Sequence, residues 1–239
     1  DTEAEKISVP KGIRIKNISD TSATVVRKTA ESDLRISVDF KEQKPGKYNF
    51  RVSPTIHVDG FKHILDQLAQ EAAFTLTVDF DAISLNSSHV VMEDIGLVLG
   101  RALKEILIVR MNQYGVQGAG SSINSAQDIE TQDISVGISV EGRKFLKFVP
   151  FCQSYDEFKK SFLLTQSLVH GLFPEDLDDF IDGLAGGLVA SIMIHIKRDI
   201  EPSIGWEMIF SNLGKALKTV FQTNPHRKGV PPGVKATLS

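Results

Sequence analysis

The chain has 239 residues, with 27 Lys and Arg against 30 Asp and Glu, 41% hydrophobic and 24% charged residues. That balance suits one large or two modest folded domains and excludes a collagenous or largely disordered polymer. A net charge of -3 offers no basic surplus for a nucleic-acid backbone, and the lone Cys152 excludes an intrachain disulfide or a multi-cysteine zinc site.

In chain order, residues 1–20 are expected as an N-terminal extension and residues 21–112 as a first folded half. Within that half the runs SATVVRKT, DLRISVDF and KYNFRVS alternate apolar and polar letters between short polar breaks, which predicts strands in hairpin order. Phe61, Ile64, Leu65, Leu68, Ala69 and Ala72 then recur at helical spacing, and FTLTVDF follows as a strand from Phe74. A second helix carries Met92, Ile95, Gly96, Leu99, Ala102, Leu103 and Ile106 on one apolar stripe, with Ser88 available as its N-cap. Residues 113–126 are Gly- and Ser-rich without periodicity and are expected as a flexible connector, with a boundary near Gly120.

Residues 127–223 repeat the order: strands at DISVGISV and KFLKFVP, helices over Asp156 to Val169 and Asp176 to Val189, a strand at SIMIHIKR, and a helix from Ser203 to Phe221. Residues 224–239 form a tail. The segment Glu93-x-Ile95-x-x-x-Leu99-Gly100-Arg101-Ala102-Leu103-Lys104 aligns without a gap on Glu207-x-Ile209-x-x-x-Leu213-Gly214-Lys215-Ala216-Leu217-Lys218, an offset of 114 residues. Internal duplication is the simplest explanation. The expected fold is therefore α+β, two tandem halves, each an antiparallel sheet covered by two helices. Stripes such as Trp206, Ile209, Phe210, Leu213 and Leu217 read as core. The longest apolar runs are broken by Glu93, Asp94, Arg101, Lys197 and Arg198, so a membrane span is not expected.

RKTAES near Arg27, FKHILDQLAQ from Phe61, SHVVMEDIGLVLGRALKEIL from Ser88, EGRKFL at Glu141, IHI at Ile194, EMIFSNLGKALKTV at Glu207 and the tail TNPHRKGVPPGVKATLS together resemble imidazoleglycerol-phosphate dehydratase, the manganese enzyme of histidine biosynthesis. The resemblance covers nearly the whole chain. It implies duplicated halves of the ribosomal protein S5 domain 2-like kind, trimers building a hollow 24-subunit particle, and two manganese ions per site held between subunits.

In that family each half carries a His-His-x-x-Glu motif, in which adjacent histidines serve two metals and the glutamate returns to the first. Residues i and i+4 share a helix face, so one His and the Glu can reach one ion. The first motif here reads His89, Val90, Val91, Met92, Glu93, with one His replaced by Val. The second reads Ser203, Ile204, Gly205, Trp206, Glu207, with both gone. His63 matches the His of the family's Asp-His-Met segment, Glu71 stands where a further His belongs, and His195 matches the His of its Leu-His-Ile strand.

By that resemblance His63, His89, Glu93, His195 and Glu207 are vestigial metal candidates, and Glu31 is a vestigial catalytic one. The plain alternative makes the histidines satisfied core or surface residues and the two glutamates helix N-terminal carboxylates facing the macrodipole. Arg143 and Lys235 match anion-binding positions, with solvated surface charge as the alternative. Gln113-Tyr114-Gly115 replaces the family's Arg-Tyr-Gly, and Gln127 to Thr131 falls on its Pro-Met-Asp-Glu-Ala segment, so a phosphate-facing cation and a binding carboxylate are altered.

The expected function is a noncatalytic relative serving as a structural or interaction subunit, in a homo-oligomer or a heteromeric complex, with no cofactor, or manganese if any metal is retained. The alternative is a residual or partner-completed dehydratase, a manganese-dependent hydro-lyase in which a neighbouring chain supplies missing ligands. Nucleic-acid binding would rest only on His226, Arg227, Lys228 and Lys235 and is not expected. The tail resembles plant and cyanobacterial forms, which suggests a plastid; the lone cysteine otherwise points to a reducing compartment.

Overall fold

The computed structural model describes residues 12–123, 133–152 and 154–232. A five-stranded sheet contains β1 (Gly12–Ile18), β2 (Ser22–Lys28), β3 (Asp33–Asp39), β4 (Lys47–Val52) and β5 (Thr75–Ala82) in the order β1-β2-β3-β5-β4. A four-stranded sheet contains β6 (Ala119–Ile123), β7 (Ile134–Val140), β8 (Phe145–Val149) and β9 (Ala190–Ile196) in the order β6-β7-β9-β8. The helices are α1 (Asp59–Ala72), α2 (Ser88–Gln113), α3 (Tyr155–Phe158), α4 (Pro174–Leu188) and α5 (Pro202–Val220).

Strict alternation makes each central strand two-faced. Leu34, Ile36 and Val38 of β3, with Leu76, Val78 and Phe80 of β5, are buried on the helix side, while Arg35 and Asp79 point away. The same holds for Ile134, Val136, Ile138 and Val140 of β7 and for Ile192, Ile194 and Ile196 of β9. Helices α1 and α2 cover the first sheet, and α4 and α5 cover the second. The two helical layers then close on each other, α2 against α4 and α1 against α5, so the core runs through four layers from sheet to sheet. This is the α+β pair of duplicated halves that the sequence implied.

Several expectations change in detail. KYNFRVS is no hairpin partner of β3: β3 pairs with β5, and β4 joins β5 in parallel after the chain returns through α1. β8 and β9 repeat this arrangement, so both sheets are mixed rather than purely antiparallel. Residues 12–18, expected within the extension, pair with β2 as an edge strand, and residues 119–123, expected within the connector, pair with β7. Gly120 sits inside β6, where a Cβ would come within 2.4 Å of the Ala216 carbonyl of α5. Close approach, not mobility, calls for that glycine.

The helix expected over Asp156 to Val169 is short, α3 followed by a π turn at Lys159–Leu163, because Phe158, Phe162 and Leu163 are buried and pull the chain inward. On α2 the N-cap is Ser87, whose Oγ accepts from the Val90 N–H; Ser88 is already helical. That helix buries Val91, Val98 and Leu107 besides the expected stripe, because it is sandwiched between a sheet and α4. No helix of the described residues is long and apolar enough to cross a membrane.

Candidate functional site

Among the described residues, two groups of metal-capable side chains form at helix ends. In the first, α1 presents His63 on its exposed face, opposite the buried Phe61, Ile64 and Leu65. The α5 helix brings Glu207 beside it, next to the buried Trp206 that fixes the helix in the core. The third member, His170, comes from a two-residue turn. Val169 N–H donates to the Leu172 carbonyl at 2.8 Å and Leu172 N–H returns to Val169 at 2.9 Å, with φ of 51° at His170 and 80° at Gly171. Positive φ at both central positions is a type I′ turn, where Asn or Gly is ordinary and His carries a backbone cost.

The turn seats on Gly60, where a Cβ would lie 1.9 Å from the His170 carbonyl oxygen. His170 Nε2 then stands 2.6 Å from Glu207 Oε1, and the His63 and His170 ring centroids are 4.6 Å apart. One ligand atom from each of the three lies within 4.8 Å of the others. Two imidazoles and a carboxylate with an open side suit a divalent transition metal.

The second group joins α2 to α4. His89 Nδ1 lies 2.7 Å from Asp179 Oδ2 and 2.8 Å from Asp176 Oδ1. Burial lowers the affinity of His89 for its proton, but the Asp179 hydrogen bond and the charges of Asp176, Asp179 and Glu175 outweigh it and raise the pKa. Burial raises Asp176 against a hydrogen bond from Ser88 and the charge of His89, and raises Asp179 against its hydrogen bond to His89. Neighbouring Asp178 is pushed up to about 7, first by burial and then by Asp179, Asp182 and Glu175. The start of α4 thus concentrates negative charge that favours a cation.

The expected candidates scatter differently. His63 and Glu207 do meet, and His89 enters the second group. Glu93 is exposed and belongs to neither donor group among the described residues. His195 lies on the outward face of β9, opposite Ser135 and away from the helix ends, because Ile194 and Ile196 take the inward face. Glu31 is in the exposed β2–β3 turn, its N–H donating to Thr29 Oγ1 and its carbonyl accepting from Ser84 Oγ. Arg143 donates from Nε to Glu141 Oε1 at 3.0 Å. Ser191 and then Arg143 hold Glu141 below the usual carboxylate range. Glu71 accepts from Ser211 Oγ, and Tyr114 ends α2 before Gly115 at φ 76°. Lys235 and residues 127–131 lie outside the described residues.

Sequence reasoning missed His170, Asp176 and Asp179. The His-Gly pair between Val169 and Leu172 was a turn signal, and Asp176 with Asp179 was an i, i+3 pair on one helix face. Only chain reversal from distant segments gives them a shared centre.

Residues 57–217 match the family model described as imidazoleglycerol-phosphate dehydratase. The chain is 27% identical over 220 residues to the imidazoleglycerol-phosphate dehydratase of Dinoroseobacter shibae, covering 90% of this chain and 98% of that protein. It is also 27% identical over 209 residues to that of Streptococcus sanguinis, covering 87% and 95%. The crystal structure of the Staphylococcus aureus enzyme superposes with a TM-score of 0.61 at 19% identity, covering 85% of this chain and 99% of that one. That of the Pyrococcus furiosus enzyme in complex with (S)-C348 gives 0.61 at 20% identity, covering 89% and 99%. At such identities these structures speak for the fold alone.

Proposed function

The chain belongs to the imidazoleglycerol-phosphate dehydratase family, and from that premise we propose a residual dehydratase whose metal sites are completed by neighbouring chains. The observation that carries this reading is the His63–His170–Glu207 group, three donors from α1, a turn and α5 converging within 4.8 Å although both second-motif histidines are gone. Its side chains face outward: those of His170 and Glu207 are 34% and 44% exposed, so a further chain can reach the open coordination positions.

Manganese fits the donor chemistry of this group, imidazole nitrogen with carboxylate oxygen, at one ion rather than two. When bound, such an ion supplies Lewis-acid polarisation of the substrate. The chain's own part is to hold and aim that ion: His63, His170 and Glu207 would be its donors, and the turn on Gly60 fixes the His170 backbone. Substrate phosphate is poorly served within one chain, since Arg143 is engaged with Glu141 and Gln113 carries no charge. Neighbouring subunits would supply that charge too. A plastid or another reducing compartment is part of the same proposal, on the tail letters and the lone cysteine.

A second reading, a noncatalytic subunit of a larger assembly, is favoured by Val90, Ser203 and Ile204 at positions where the family uses imidazole, because none of these is a comparable donor. One experiment separates the two. Purified protein, alone and with whatever chains accompany it, is loaded with manganese and assayed with imidazoleglycerol phosphate. Turnover that is abolished by His63→Ala or Glu207→Gln supports the dehydratase. A metal-loaded native assembly without turnover favours the noncatalytic subunit.

A further inference from the structure

The contact between α2 and α4 at His89 does something that an ordinary ion pair does not explain. A ring nitrogen holds one proton or one lone pair, so Nδ1 makes one good hydrogen bond, and it makes it with Asp179. Asp176 Oδ1 lies 2.8 Å from the same nitrogen without hydrogen-bond alignment and has no hydrogen-bond partner, although the residue is only 2% exposed. A buried carboxylate oxygen left this way is destabilising by about 1 to 3 kcal/mol or more. Helix-dipole attraction favours Glu175 and Asp176 in the first turn of α4, by at most about 2 kcal/mol, but gives Asp176 Oδ1 no donor. Asp176 draws a hydrogen bond from Ser88 and the charge of His89, and its Oδ1 is still left for a further partner.

Geometry supplies it. Metal bonds of about 2.1 Å place adjacent donors of an octahedral ion about 3 Å apart, close to the 2.7 and 2.8 Å seen here. All three donor atoms are mutually within 4.8 Å. They sit on two helices locked backbone to backbone, which is the kind of support that holds a ligand set in place. His89 faces a cleft of about 260 Å³, lined also by Thr165, Gln166 and Glu175, from which water can fill the remaining positions.

We propose that His89, Asp176 and Asp179 form a divalent-cation site separate from the His63 group. It takes manganese, magnesium or zinc, and its carboxylates come from α4. Glu93, the partner that the His-His-x-x-Glu pattern would give His89, is not among the three donors. The site needs no turnover of substrate and stands whether or not the chain dehydrates anything.

The test uses the full chain stripped with a chelator and titrated with manganese(II), free ion being read by electron paramagnetic resonance. His170→Ala, or Glu207→Gln if that variant folds better, removes the first group. In that background one equivalent is expected to bind, and Asp179→Asn or His89→Gln should weaken it at least tenfold. Manganese should also raise the melting temperature of the background protein and leave that of its Asp176→Asn derivative unmoved. Absence of binding in both backgrounds, or binding indifferent to the His89, Asp176 and Asp179 substitutions, overturns the proposal. Zinc or magnesium displacing the bound manganese identifies the preferred ion and supports it.

Discussion

The duplication gives the molecule two helix pairs built from the same plan, α2 on α4 and α1 on α5, and they have diverged at their seams. In the first, Gly96, Gly100, Gly183 and Gly187 let backbones touch: a Cβ on Gly96 would lie 2.1 Å from the Phe180 carbonyl, and one on Gly187 would lie 2.0 Å from that of Leu97. With α2 set on α5 as above and α4 set on α1 by their left-handed C-caps Val189 and Ala73, the aligned positions in the second are Phe210, Gly214, Gln67 and Glu71, so only Gly214 keeps the close approach, against the Leu68 carbonyl and the Glu71 Cβ. Side chains hold that pair apart, and the seam is polar, with Ser211 on Glu71 and Gln67 on the Glu207 carbonyl. One seam is a rigid backbone contact beneath His89. The other is an adjustable side-chain contact beneath His63 and Glu207.

The sharpest way to break this comparison is Gly187→Val. Backbone atoms of α2 crowd the new side chain, so the helices must separate, and denaturant unfolding should register a loss of about 3 kcal/mol. Gly186→Ala, one residue earlier, meets the flexible Lys144 side chain at 3.4 Å and Leu97 Cδ1 at 3.9 Å, ordinary contacts, and should be neutral or stabilising. Equal losses at the two positions would refute the backbone-contact account.

Next in size is Asp94→Ala. Asp94 is 8% exposed and receives Arg27 Nη1 at 2.6 Å, joining α2 to β2. Removing the acid leaves the guanidinium unpaired and should cost about 2 to 3 kcal/mol. The aligned residue in α5 is Met208, so an apolar Arg27→Leu, Asp94→Met pair should recover most of that loss in a double-mutant cycle.

A smaller effect should separate stability from function at the looser seam. His170→Gly removes a side chain held at φ 51° and is expected to change stability by about 0.5 kcal/mol or less, upward if backbone relief prevails. It should nevertheless weaken metal binding at the His63 group about tenfold, measured by the same manganese titration. Smallest is Glu71→Ala, where only a 3.3 Å hydrogen bond from Ser211 is lost. Thermal unfolding should move by the equivalent of about 0.5 kcal/mol.

Much of the fold was legible because alternation in β3, β5, β7 and β9 and the stripes of α1, α2 and α5 report one-sided burial directly. The repeat from Glu93 onto Glu207 carried the duplication. Strand order was less legible: β4 reads like a hairpin strand, and nothing within its six residues says that it will pair with β5 rather than β3. At the candidate site His63, His89 and Glu207 were visible through the family pattern. Glu93 and His195 were visible too, but the fold leaves them outside both donor groups among the described residues. His170 was hidden in a turn whose signal is conformational, Asp176 read as an ordinary first-turn acid and Asp179 as a surface acid one turn further on.

The sequence by itself determined the α+β class, the doubled architecture and which faces of the elements are apolar, because periodicity and burial are local properties of each segment. Only the tertiary structure decided which donors share a centre. Ligand sets are matters of a few ångströms between residues as far apart in the chain as His63 and Glu207. Those distances are fixed by how closely helices approach, which here depends on whether glycine or a side chain occupies a handful of seam positions.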